Sequence, residues 1–272
     1  MGIDVNGIKQ GQRMMWAAGD FAEVAKRIQT TADLLAEDVG AGPGVEVLDV
    51  ATGSGNVAMA AARSGAHVKG LDLTPELLEV ARRRASDEGF EIEFVEGDAE
   101  NLPYAEGSFD GVTSCFGVMF APLHEKAAAE LVRVARPGAT IAVAAWTPDG
   151  LLGRMFRTIG SYMPAPPEGF QPPVMWGQEE HVRSLFAGSG GELAFQLRSA
   201  RFEAESVESW IDYNERNLGP TVIAKAALEP QGRYGELRAE LVAVYSEANE
   251  ATDGTMLAGG DYLVTTVKLP AD

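Results

Sequence analysis

The sequence is poor in the residues that build disulfides and metal sites. Of its 272 residues one is a cysteine, Cys115, and three are histidines. A single cysteine excludes an internal disulfide and any cysteine-rich metal site, and it is typical of a reducing cytoplasm. We therefore predict a cytoplasmic protein that binds no metal.

Long apolar runs are also missing. No stretch approaches the roughly eighteen uninterrupted apolar residues that a membrane helix requires, and the first ten residues lack the apolar core of a signal peptide. The sequence thus predicts no membrane span and no processing.

Positive charge is scarce. Lys and Arg number 22 against 40 Asp and Glu, which gives a formal net charge of -18. Such a surface repels the phosphates of nucleic acids and of anionic membranes over most of its extent. Nucleic acid is therefore not expected as a partner, and a small molecule is.

Short apolar runs alternate with helical patterns between residues 45 and 147. This order is typical of parallel strands joined by crossover helices. The sequence therefore predicts a doubly wound, seven-stranded, mostly parallel α/β sheet. The predicted strands are 45–50, 67–73, 91–97, 111–117, 140–146, 191–199 and 261–269.

Helices are predicted between these strands. Pro75 suits a first helical turn and Gly89 a helix end, so a helix is predicted between them. The segment 124–138 repeats this pattern, with Pro137 and Gly138 as its end. Further helices are predicted at 206–219 and 233–249, and one or two amphipathic helices at 14–39.

Residues 148–192 differ from the rest of the chain. They contain six prolines among aromatic side chains, too many for regular helix or a central strand. We predict an inserted cap after the fifth strand that folds over a pocket; a homodimer surface is the alternative. The predicted organisation is one domain, 1–272, with an N-terminal helical segment (1–44), a core (45–147), the cap (148–192) and C-terminal strands and helices (193–272).

A glycine turn follows the first predicted strand, in VLDVATGSGNVA. Gly53, Gly55 and Ala58 match the loose pattern of a dinucleotide site, so an NAD-dependent oxidoreductase is one alternative. Asp49, however, lies where it would repel a pyrophosphate and attract a cationic amino group. S-adenosylmethionine carries such an ammonium group, together with a carboxylate suited to the amides of the turn.

Two further carboxylates follow the next two strands. Asp72 ends the second strand and could accept hydrogen bonds from ribose hydroxyls. Asp98 follows the third strand and could accept from an adenine amine. Because the carboxyl ends of parallel strands meet at one edge, we expect these groups and Asp49 to contact one ligand. Each of them alone could equally be an ordinary turn or loop residue.

Four segments resemble, in order, the successive motifs of class I S-adenosylmethionine-dependent methyltransferases: VLDVATGSGN, LDLTPELLEVAR, EGDAENLPYAEGSFDGV and ELVRVARPGATIAVAAW. Within that superfamily the sequence is similar to the small-molecule enzymes of the ubiquinone and menaquinone biosynthesis group. The resemblance covers residues 45–147 and implies a Rossmann-like methyltransferase fold. It also implies methyl transfer to O, N or C of a small metabolite, with release of S-adenosylhomocysteine. Ala51 and Asn56 depart from the pattern, because many members have glycine there.

The resemblance implies roles at the matching positions. Asp49 and residues 52–55 would hold the methionine part, Asp72 the ribose and Asp98 the adenine edge. The implied cofactor-binding residues are Asp49, Ala51, Thr52, Gly53, Ser54, Gly55, Asp72, Leu73, Asp98, Ala99 and Phe116.

Methyl transfer from a sulfonium mainly requires alignment and the exclusion of water, so no particular catalytic residue is demanded. His124 and His181 are candidate bases, with a structural role as the alternative for each. Candidates for a pocket around a hydrophobic or aromatic acceptor are Trp16, Met119, Phe120 and Trp146, with core packing as their alternative. A protein of this fold that binds the cofactor as a scaffold, without transferring a methyl group, also stays open.

Overall fold

The structure is a computed structural model, and it describes residues 4–271. The helices are α1 (Val5–Ala17), α2 (Phe21–Lys26), α3 (Gln29–Asp38), α4 (Asn56–Arg63), α5 (Pro75–Glu88), α6 (His124–Val134), α7 (Leu151–Tyr162), α8 (Glu179–Phe186), α9 (Val207–Asn217), α10 (Gly219–Leu228) and α11 (Tyr234–Ala248). The strands are β1 (Glu46–Val50), β2 (His67–Asp72), β3 (Glu93–Glu96), β4 (Phe109–Cys115), β5 (Ala135–Trp146), β6 (Glu192–Ala204) and β7 (Met256–Lys268). Short 3-10 turns lie at Val118–Phe120, Pro173–Gly177 and Glu229–Gln231.

The strands form one seven-stranded sheet in the order β3-β2-β1-β4-β5-β7-β6. Strands β1 to β5 pair in parallel, and β7 runs antiparallel to both of its neighbours. The predicted seven-stranded, mostly parallel sheet is therefore confirmed. Right-handed crossovers put α4 and α5 on one face and α6 on the other, since the chain moves outward from β1 and from β4 in opposite directions.

The central strands carry apolar side chains at successive positions because helices cover both faces of the sheet. In β1, Val47, Leu48 and Val50 are fully buried. In β5 every residue from Ile141 to Trp146 is buried, and none is more than 6% exposed. The order of strands reverses between β1 and β4, and the carboxyl ends of these strands open onto the cleft described below.

The end of α6 differs from the prediction. The helix ends at Val134, and Pro137 and Gly138 lie within β5 instead of ending a helix. The pairing register between β4 and β5 shifts between Phe109 and Gly111, next to these residues. A proline is tolerated at such a bulge because the ladder is already interrupted there.

The expectation of irregular chain over 148–192 is wrong at two places. Helix α7 lies between Pro148 and the other five prolines of the insertion, which all fall within 163–173, and α8 follows them. At the N-terminus the chain forms α1, α2 and α3 instead of one or two helices, because Gly19 and Asp20 interrupt the pattern. The side chain of Asp20 accepts a hydrogen bond from the amide of Glu23 and begins α2.

Within residues 4–271, every helix is too short or too polar to cross a membrane.

Candidate functional site

A cleft opens at the carboxyl ends of β1, β2 and β4. Strand-end loops form its floor, and residues of α1 and α2 together with Ile28, just before α3, form its cover. All the implied cofactor-binding residues line it except Gly55, which lies behind the turn as the residue before α4. The sheet edge thus brings together residues that are up to 67 positions apart in the sequence, from Asp49 to Phe116.

The backbone of the floor is held in uncommon conformations. Ala51 and Phe116 have φ values of 54° and 56°, which non-glycine residues rarely adopt. Gly117 packs so closely that a Cβ atom there would lie 2.5 Å from the Cβ of Ala51. The loop after β4 and the turn after β1 therefore press against each other, and only glycine fits at position 117.

Asp49 is almost wholly buried, with 1% of its surface exposed. Its carboxylate accepts hydrogen bonds from Thr52 Oγ1 at 2.5 Å, from the amide of Ala58 at 3.2 Å and from Thr113 Oγ1 at 3.1 Å. Burial raises the pKa of Asp49 to about 7, although these hydrogen bonds oppose the rise. Asp49 therefore organises the glycine turn and changes its charge near neutral pH.

Asp72 ties the turn to the end of β2. Its Oδ2 accepts from the amide of Gly53 at 2.8 Å, and its Oδ1 accepts from the amide of Thr74 at 2.8 Å. Burial also raises the pKa of Asp72. Each oxygen has accepted one hydrogen bond and can accept another from a ligand.

Asp98 has a partner that sequence reasoning missed. Lys9 of α1 donates to Asp98 Oδ2 at 2.7 Å and to Glu100 Oε2 at 2.5 Å. Burial lowers the pKa of Lys9, but the hydrogen bonds to the two carboxylates outweigh it, and the net shift is upward. Since 89 residues separate Lys9 from Asp98, no local signal could have revealed the pair.

Aromatic rings form one wall of the cleft. Trp16 meets Phe21 and Phe120 edge to face, with ring centroids 5.3 Å and 4.9 Å apart. Trp16 and Phe120 were predicted as pocket residues, and both line the cleft; Phe21 was not predicted. Such edge-to-face contacts hold aromatic side chains in fixed orientations.

Met119 and Trp146 lie behind this wall instead of lining it. Met119 is completely buried. Trp146 stacks on Phe116 with a centroid distance of 3.7 Å and an interplanar angle of 2°. Trp146 therefore supports the ring of Phe116, which does line the cleft.

The insertion at 148–192 supplies no residue to the lining of the cleft. Its aromatic side chain nearest to the cleft is Phe156. The ring centroid of Phe156 lies 5.8 Å from that of Phe120, on the side of Phe120 away from the cleft. The cover over the cleft comes from Lys9, Gln12, Trp16 and other residues of α1 and α2. The residues that line the cleft therefore do not support the prediction that 148–192 forms a cap over it.

The two candidate bases form a pair outside the cleft. His124 Nδ1 lies 2.9 Å from His181 Nε2, and neither residue lines the cleft. His124 is completely buried, and burial together with the nearby His181 lowers its pKa to about 4. This geometry connects α6 to α8 and gives neither histidine contact with a ligand in the cleft.

Comparison with known proteins agrees with the geometry. The methyltransferase domain family matches residues 48–143. An uncharacterized protein of Mycobacterium tuberculosis is 41% identical over 264 residues, which is 94% of this chain and 93% of that protein. Demethylmenaquinone methyltransferase of Thermus thermophilus is 33% identical over 173 residues, which is 56% of this chain and 76% of that enzyme.

The fold has matches among solved structures. The YcgJ protein from Bacillus subtilis has a TM-score of 0.61 to this chain at 18% identity, and the match covers 88% of this chain and 98% of that one. At this identity the likeness supports the fold alone. The sequence relatives, the matching domain and the cleft at the strand ends together identify the enzyme class: the chain belongs to the class I S-adenosylmethionine-dependent methyltransferases that act on small molecules.

Proposed function

We propose that this enzyme transfers the methyl group of S-adenosylmethionine to a hydrophobic or aromatic small molecule bound against Trp16 and Phe120. One observation carries the proposal: three carboxylates at successive strand ends share a single cleft with an aromatic wall. Carboxylates suit the ammonium, ribose and adenine groups of one nucleoside, and the aromatic wall suits an apolar acceptor.

The residues present fit the cofactor. Asp49 and Asp72 contribute negative charge beside the glycine turn, where the ammonium group would bind. Asp72 keeps a free acceptor site on each oxygen for the two ribose hydroxyls. Asp98 accepts from Lys9 and from the amide of Glu100, so an adenine amine would share this carboxylate with Lys9.

A dinucleotide such as NAD fits this cleft less well than S-adenosylmethionine does. The amide of Gly53 donates to Asp72, and the amide of Gly55 donates to the carbonyl of Thr52 at 2.9 Å. Amides used in this way are free neither for the carboxylate of S-adenosylmethionine, which the sequence placed at the turn, nor for a pyrophosphate. The buried carboxylate of Asp49 beside the turn would also repel one.

The protein contributes to the reaction by aligning the acceptor with the methyl group and by excluding water. When bound, S-adenosylmethionine supplies an electrophilic methyl group, and the acceptor must approach it in line. The cover of α1 and α2 keeps water from this space, and the aromatic wall orients a flat acceptor. The Thermus thermophilus relative bears the name demethylmenaquinone methyltransferase, so hydroquinone rings are the first acceptors to test.

Calorimetry with S-adenosylhomocysteine and with NAD tests the cofactor assignment. We expect binding of S-adenosylhomocysteine and none of NAD; the opposite result would contradict the proposal. Acceptors are then compared by the release of S-adenosylhomocysteine from S-adenosylmethionine, with naphthohydroquinones, phenols and aliphatic amines as the panel. We expect turnover of the aromatic compounds, and turnover of the aliphatic amines alone would contradict the acceptor class.

A further inference from the structure

Asn56 is the first residue of α4, lines the cleft and is 7% exposed. Its side chain makes two hydrogen bonds to distant segments. Nδ2 donates to the carbonyl of Ala25 at 2.7 Å, and Oδ1 accepts from Arg84 Nη1 at 2.8 Å. Both ends of a buried amide are therefore satisfied, and the amide bridges α2 and α5.

Arg84 holds the glycine turn at the same time. Its Nη1 also donates to the backbone carbonyl of Ser54 at 2.6 Å. The guanidinium group is half-buried, and burial lowers its pKa. A charged group withdrawn from water in this way makes strong hydrogen bonds with neutral carbonyls. One nitrogen of Arg84 thus fixes both Ser54 and Asn56.

Helix α2 lies directly on the turn. The carbonyl of Ala25 belongs to the last turn of α2, and it accepts from the amide of Ile28 at 3.1 Å as well as from Asn56 Nδ2. On the other side, the ring of Phe21 is so close that a Cβ atom on Gly53 would lie 3.4 Å from it. The beginning and the end of α2 therefore both rest on residues 53–56.

We propose that Asn56 and Arg84 are positioning residues that couple the glycine turn to α2, so that a ligand at the turn holds α2 over the cleft. The coupling rests on the proposed binding of the cofactor at this turn. It also gives a reason for a departure from the family pattern, because the glycine that many members have at this position could make neither hydrogen bond. In this chain, closure of the N-terminal cover and occupation of the turn become one event.

Hydrogen exchange of residues 21–28, with and without S-adenosylhomocysteine, tests the coupling. In the wild type we expect the ligand to slow exchange of these amides about tenfold. Asn56→Ala removes both hydrogen bonds, and Asn56→Asp keeps an acceptor for Arg84 but loses the donor to Ala25. Both variants should lose most of this ligand-dependent protection, and Asn56→Ala should also bind S-adenosylhomocysteine about tenfold more weakly.

Arg83→Gln is the matched control, because Arg83 is the exposed neighbour of Arg84 on α5. It should keep the protection and the affinity of the wild type. A purely structural role for Asn56 would lower the melting temperature and leave the ligand-dependent protection unchanged, and that result would overturn the proposal. If Asn56→Ala does not fold, Arg84→Gln provides the same comparison, and full protection in it would likewise overturn the coupling. Failure of the wild type to bind S-adenosylhomocysteine would instead contradict the proposed function.

Discussion

Lowering the pH from 8 to 6 should weaken the binding of S-adenosylhomocysteine about tenfold. Asp49 has a pKa of about 7 in the free protein because it is buried. About one molecule in eleven is ionised at Asp49 at pH 6, and about ten in eleven at pH 8. Only the ionised carboxylate attracts the ammonium group of the ligand, so the affinity should follow this fraction. The change corresponds to about 1.4 kcal/mol.

Calorimetry at pH 6, 7 and 8 measures this effect. Near pH 7, binding should also release about half a proton, which appears as a dependence of the measured heat on the ionisation enthalpy of the buffer. Asp49→Asn is the control, because its amide cannot ionise and its affinity should be nearly constant over this range. A wild-type affinity that does not change with pH, or an equal slope in Asp49→Asn, would refute the role given to Asp49.

Three further predictions concern the cleft and the histidine pair. Asp72→Ala should weaken S-adenosylhomocysteine about tenfold to a hundredfold by loss of hydrogen bonds to a charged group; calorimetry that finds unchanged affinity would argue against ribose binding there. Phe120→Ala should lower turnover of the best acceptor at least about tenfold and change S-adenosylhomocysteine affinity less than about twofold; equal losses would count against an acceptor wall. His124 has a folded-state pKa of about 4, below its unfolded value, so it stays neutral when folded and its contribution to stability is lost as the pH falls from about 6.5 towards 4. This loss amounts to about 3 kcal/mol in the free energy of unfolding of the wild type. Urea denaturation of His124→Gln should show a correspondingly smaller fall in the free energy of unfolding over the same pH range; identical pH profiles of the two proteins would contradict this role of His124.

The sequence predicts the sheet well because the signal for buried parallel strands is local. The predicted strand at 45–50 becomes Glu46–Val50, and the one at 67–73 becomes His67–Asp72. The helix at 74–89 also matches α5, with Pro75 in its first turn and Gly89 in the left-handed conformation after its end. Apolar runs and terminal signals decide these elements without help from the rest of the chain.

The helices that were not predicted lie where prolines or glycines obscure a helical pattern in the sequence. The prolines of 148–192 concealed α7 and α8, although five of the six lie between the two helices. Helix α10 was not predicted because Gly219 and Pro220 are usually taken as loop residues. In the structure both lie in its first turn, where a proline costs nothing because that amide has no helical partner.

The residues of the candidate site likewise fall into two groups, those that the sequence could predict and those that it could not. Residues at strand ends, such as Asp49 and Asp72, could be predicted because the fold sends parallel strands to one edge. Lys9 and Arg84 could not, because each looks like an ordinary charged residue on an exposed helix face. Their partners are 89 and 28 to 30 residues away, and only the packing of helices against strand ends brings them together.

A crystal structure with S-adenosylhomocysteine bound is the most direct test of the claim that three strand-end carboxylates bind one nucleoside. We predict the ammonium group beside Asp49, both ribose hydroxyls within hydrogen-bonding distance of Asp72, and the adenine amine at Asp98. A nucleoside bound outside this cleft, or bound in it with its ribose away from Asp72, would contradict the claim.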